Sequence, residues 1–129
     1  MSFFGWGNRG IESTTIGLTA NPSTTTLLAE VDINGTNASA APGGQNWGVM
    51  WQLGNLTTVV TFLCDHALST GTASTGIVNQ MVVPMSSANS AQFYTKHTVE
   101  SSNQTRFRVR IASSVTGSVS AKIIAEPLI

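Results

Sequence analysis

Cys64, Asp65 and His66 stand side by side: a thiol, a carboxylate and an imidazole. These are the side chains of a nucleophile, its base and an orienting acid. Their spacing undoes that chemistry. The run from Leu56 to His66 reads as a β-strand, and successive strand residues point to opposite faces. Cys64 and His66 then share a face roughly 6.6 Å apart, whereas a nucleophile and its base need roughly 3 Å. Asp65 points the other way. The residues predict a buried thiol, with Asp65 and His66 closing the strand.

Other catalytic or ligating patterns are equally thin. His66 and His97 are the only histidines and lie far apart, with no closely spaced zinc-type pair, so a metal would need ligands shared between subunits. Gly43-Gly44 lacks the Lys-Ser/Thr and the helix that follow a phosphate loop. The six carboxylates are scattered singly, which indicates no glycosidase pair. No enzymatic activity, cofactor or metal is expected.

Three groups of residues speak instead of contact. Arg106, Arg108 and Arg110 alternate with Phe107, Val109 and Ile111, which places the arginines outward. Such a row is a solvated, edge-guarding face, a contact with acidic or carbonyl groups of a neighbouring subunit or, least favoured because no other basic residue clusters nearby, a nucleic-acid contact. Phe3, Phe4 and Trp6 sit among glycines with no helical or strand period. Burying a ring is worth roughly 1.5–3 kcal/mol, and these three must find shelter on their own domain or on a partner. A partner is the expectation, with Arg9 beside them. The apolar end, Leu128-Ile129, is also expected to be covered. Trp47 and Trp51 share a strand face and read as core. If they or Tyr94 were exposed, they would suit sugar stacking, which makes a carbohydrate-binding or tail-fibre-type module the alternative function.

The elements that position these groups are short strands. Residues 1–23 read as an extended N-terminal arm, with a short edge strand within Ser13 to Leu18, and residues 24–129 as one domain. Strands are predicted over Thr25 to Ile33, Trp47 to Leu53, Leu56 to His66, Ile77 to Met85, Ala91 to Val99, Thr105 to Ala112 and Ser118 to Ala125. Pro84 belongs at a strand end or on an edge. No window holds a helical period. The expected fold is all-β: a single antiparallel β-sandwich, jelly-roll-like, of about seven to eight strands.

Composition narrows the partners. Six basic and six acidic residues cancel, and charged residues make up only 9% of the chain. That disfavours nucleic acid, which needs clustered Lys and Arg, and it favours self-association. No stretch reaches the roughly 20 apolar residues that cross a bilayer, and the first twenty residues lack a secretory pattern. Cys64 is the single cysteine, so no intrachain disulfide forms. Four Asn-X-Ser/Thr matches, at Asn34, Asn37, Asn55 and Asn103, carry no weight in a chain this rich in Asn, Ser and Thr.

Over roughly residues 56–129 the chain resembles the tailed-phage capsid decoration, or cement, proteins. The residues that carry the likeness are Phe62-Leu-Cys-Asp-His-Ala-Leu-Ser-Thr-Gly71, Gln80-Met-Val-Val83, Ala91-Gln-Phe-Tyr94, Thr105-Arg-Phe-Arg-Val-Arg110 and Ser120-Ala-Lys-Ile-Ile-Ala-Glu-Pro-Leu128. The likeness lies in strand order and phrase and contains no catalytic signature. It implies a β-sandwich, often trimeric, that sits on the outer capsid surface and clamps neighbouring major-capsid subunits after synthesis in the host cytoplasm. The arm lies outside the matched region, so its assignment to capsid contact rests on its aromatic residues alone.

Overall fold

The structure is a computed structural model and describes residues 11–12, 19–33, 45–55, 58–70, 75–86, 89–99 and 103–128. Within these residues there are nine strands and no helix: β1 (Ile11–Glu12), β2 (Thr19–Ala20), β3 (Ala29–Asp32), β4 (Gln45–Asn55), β5 (Val60–Ala67), β6 (Ile77–Met85), β7 (Ser90–Val99), β8 (Arg106–Ile111) and β9 (Ser118–Pro127). Antiparallel partners nest inside one another: β2 pairs with β9, β3 with β8, β4 with β7 and β5 with β6. Further pairings of β4 with β9 and β5 with β8 complete two sheets. The first, sheet A, runs β1-β9-β4-β7, with β2 also on β9; the second, sheet B, runs β3-β8-β5-β6. Nested pairing rolled into two facing sheets is a jelly roll, as expected from the sequence. From β2 onward, every connection except the β5–β6 turn passes from one sheet to the other.

Alternation builds the core. Trp47, Val49, Trp51 and Leu53 of β4 face Val119, Ala121, Ile123 and Ala125 of β9 along the inner side of sheet A. Val31, Phe62, Phe107, Val109 and Ile111 line the inner side of sheet B. Trp51 meets Phe107 edge-on across the sandwich, with centroids 6.3 Å apart. Each such side chain contributes roughly 1.5–3 kcal/mol on burial.

Most strand expectations match to within a few residues, and the largest discrepancies have local causes. β3 starts at Ala29 rather than Thr25 because Ser23 to Thr26 fold into a turn. The Thr26 N–H donates to the Ser23 carbonyl at 3.1 Å, and Thr26 Oγ1 accepts from the Ser23 N–H at 3.1 Å. Within the stretch read as an arm, β1 and β2 both lie along β9. Asn21 ends β2 in the left-handed region, at φ 48°, which a short polar side chain tolerates. Asn21 and Gly117 exchange two hydrogen bonds there, of 2.7 and 2.9 Å. The predicted edge strand within 13–18 lies outside the described residues.

Candidate functional site

On β5, Cys64 and His66 face the sandwich interior and Asp65 the outer side, as alternation required. Cys64 is buried and free. Burial first, and then the Asp65 charge, push its thiol up to about 12. The sulfur stays protonated at neutral pH and is no nucleophile.

His66 belongs instead to a polar seam inside the sandwich. Its ring stacks on Phe107, with centroids 4.8 Å apart, and its Nε2 lies 2.8 Å from the Gln104 carbonyl. A carbonyl only accepts, so Nε2 carries the proton. His97 of β7 meets His66 edge-on, with centroids 5.1 Å apart. Thr95 Oγ1 accepts from the Trp51 indole N–H at 2.7 Å and shares a second hydrogen bond of 2.7 Å with His97 Nε2. Burial lowers both imidazoles. The Gln104 carbonyl partly offsets this for His66, while the His66 neighbour drives His97 further down, to about 4. Both rings are neutral at pH 7. The seam ends in a cleft of about 200 Å³ between the edges of β6 and β7. No group of three metal-ligating side chains forms among the described residues.

The arginine row departs most from expectation. Its three residues do lie on the outer side of sheet B, but they are not a solvated row. Register sets Glu30, Arg108, Asp65 and Gln80 in line across the four strands. Arg108 Nε donates to Asp65 Oδ2 at 3.1 Å, and Arg110 Nε to the same oxygen at 2.8 Å. Gln80 Nε2 donates to Asp65 Oδ1 at 2.8 Å, and Arg108 Nη2 to the Thr75 carbonyl at 2.9 Å. Arg106 Nε lies 3.3 Å from Glu30 Oε2. Arg108 and Asp65 are fully buried, and Arg110 is 8% exposed. The reading of Arg108 and Arg110 as outward contacts for a partner is therefore corrected: their charge is taken up within the chain. The reason is that alternation assigns a face but does not say whether that face is covered. The neutralising carboxylate lies 43 and 45 residues away in sequence.

The remaining singled-out residues separate clearly. Trp47 and Trp51 are core, as expected, so neither forms an exposed sugar platform. Tyr94 is 49% exposed. The Leu128 N–H donates to the Asn46 carbonyl at 2.9 Å, and Leu128 is half-buried. Phe3, Phe4, Trp6, Arg9 and Ile129 lie outside the described residues.

Sequence reasoning missed an apolar surface beside the arginine network. Val82 (56% exposed), Val78 and Pro84 point outward from β6, and Val59 (70% exposed) stands just ahead of β5. The nine residues of β6 carry no charge. Among the described residues β6 pairs only with β5, so it is an edge. Two of its backbone donors are removed. Pro84 has none, and the Gln80 N–H is taken by Asn79 Oδ1 at 2.9 Å. Such blunting discourages open-ended strand pairing and leaves the side chains as the contact. The signal was present in the alternation of Val78, Gln80, Val82 and Pro84, but an exposed valine and a buried one look alike in sequence.

No protein-family model matches the chain, and no curated protein matches it. Solved structures do. The chain is similar to the apo module BiXyn10A CBM1, with a TM-score of 0.51 and 6% identity over 91% of this chain and 95% of that one. A xylan-binding domain from CBM 22 follows at TM-score 0.49 and 12% identity, over 98% and 91%. The coat protein of Tobacco streak virus reaches TM-score 0.47 and 7% identity, over 98% and 90%. At such identities the likeness concerns the fold alone. A β-sandwich hosts many unrelated functions and assigns none by itself.

Proposed function

We propose that this chain is a non-enzymatic structural protein of a phage virion, bound to the outside of the capsid and clamping neighbouring capsid subunits. One observation carries the reading: the uncharged, solvent-facing apolar strip of Val59, Val78, Val82 and Pro84 on a blunted edge of sheet B. Exposed apolar side chains gathered on one edge suit an interaction site, and a strip without charge docks on a protein surface without stripping water from an ion. The protonated, buried thiol agrees with a mechanical role. So does the phrase-level resemblance over residues 56–129, which includes β5, β6 and β8.

The clamp works by multiplicity. A symmetric oligomer, a homotrimer in this reading, presents several modest contacts together. Tethering raises the effective concentration, so avidity exceeds a single affinity by roughly 10² to 10⁴. The arm adds Phe3, Phe4 and Trp6 as aromatic anchors that order on binding. Co-sedimentation with empty capsids tests the reading. The intact chain should pellet with capsids, and a chain lacking residues 2–10 should remain folded yet pellet less. An intact chain that stays wholly in the supernatant overturns the proposal.

A further inference from the structure

The outer side of sheet A carries a feature that the clamp does not use. Tyr94 of β7 stands opposite Met50 of β4, but its phenol leans diagonally across the sheet to lie over Gly48. A β-carbon at Gly48 would fall 2.6 Å from Tyr94 Cζ, so only glycine leaves room for the ring. Glu126 of β9 is the register partner of Gly48, and it accepts a hydrogen bond from the Tyr94 hydroxyl. Glu126 is itself 9% exposed. The ring thus reaches over three strands and is pinned at its hydroxyl by a buried carboxylate, while half its surface stays open. A ring fixed in this way loses little entropy when something stacks on it.

Polar groups stand on either side of a half-buried apolar row, Met50 and Ile124. Lys96 lies beside Gly48 in register, and Gln92, Gln52 and Lys122 form the next-but-one row. A shallow depression of about 390 Å³ adjoins them, lined by Gln52, Leu53, Ser90, Ala91 and Gln92. The ring lies over the Gly48 row and the glutamines stand four residues along β4, roughly 13 Å away, a span that calls for an oligosaccharide of several units. A sugar has a C–H face for the ring and hydroxyls for the amides.

We infer that the outer face of sheet A is a binding site for a neutral oligosaccharide. Tyr94 stacks on one pyranose ring, and Gln52 and Gln92 hydrogen-bond the hydroxyls of a unit further along the same oligosaccharide. This does not rest on the virion reading, which depends on the other sheet.

Affinity electrophoresis of the full chain in native gels tests it, with xylan, mixed-linkage β-glucan and soluble starch as the embedded polysaccharides. At least one should retard the protein. Tyr94→Ala should abolish that retardation, Gln92→Ala should weaken it several-fold, and Tyr94→Phe, which keeps the ring, should stay within a few-fold of the parent. Melting curves establish that each variant is folded. If Tyr94→Ala does not fold, Gln92→Ala on its exposed position decides. The inference is overturned if no polysaccharide retards the parent protein. It is equally overturned if Tyr94→Ala, or Gln92→Ala where that variant decides, is retarded as strongly as the parent.

Discussion

The outer faces of the two sheets obey the same alternation rule yet do opposite things with polarity. Sheet B gathers six of the twelve charged residues (six basic plus six acidic) on one face: Glu30, Asp32, Asp65, Arg106, Arg108 and Arg110. Glu30 pairs with Arg106, and Asp65 with both Arg108 and Arg110, two guanidinium groups sharing one carboxylate oxygen. Beside that network sheet B leaves Val78, Val82 and Pro84 to solvent, together with the Gln80 amide. Sheet A instead pins a single aromatic ring over Gly48, beside Lys96 and the Met50 row, and keeps it open. Charge placed where it meets its partner in the same chain is structure. Polar groups left around an open ring are available to a ligand.

The sharpest way to break this contrast is to remove the carboxylate. Asp65→Ala leaves Arg108 and Arg110 buried without their counter-charge, and a buried pair broken on one side costs about 3–5 kcal/mol. Chemical denaturation should show a loss of that size. A loss below about 1 kcal/mol would mean that the arginines find water instead, and that the outer face of sheet B is not sealed.

Next in size is an acid effect from the seam between the sheets. His97 is held at about 4, below the roughly 6.5 of an unfolded histidine. Between those values the unfolded chain binds the extra proton, so stability rises with pH. The contribution is fully present above pH 6.5 and is lost as pH falls through about 4. After discounting for solvent access, it amounts to something on the order of 1–2 kcal/mol. Denaturation midpoints from pH 7 to 4.5 should fall, and in His97→Gln the slope should flatten. An unchanged slope would assign the acid sensitivity elsewhere.

The smallest effect on stability should come from the apolar strip. Val82→Asp alters an exposed position and should shift stability by no more than about 0.5 kcal/mol, while capsid co-sedimentation drops. If stability falls sharply with it, Val82 is part of the core and the strip is not a contact surface.

Much of the fold was legible in the sequence. The alternation of Trp47, Val49, Trp51 and Leu53, and that of Phe107, Val109 and Ile111, named the core side chains correctly, because period-two burial is a local property of an extended chain. The same rule disposed of Cys64-Asp65-His66 as a triad. It failed at Arg108 and Arg110, whose burial depends on Asp65 in a strand laid alongside them. It put Tyr94 and Lys96 on the face opposite Phe93 and Val99, but not the lean of the ring, which depends on an absent side chain at Gly48 and a carboxylate at Glu126, each on a different strand.

The order of residues alone decided that this chain would form strands, which residues would share a face, and that its thiol would be inert. Only the assembled sandwich decided which outer face would be sealed, which would stay open, and that His66 would meet His97. Those outcomes depend on neighbours that nested pairing brings from 30 to 80 residues away, and local periodicity holds no information about them.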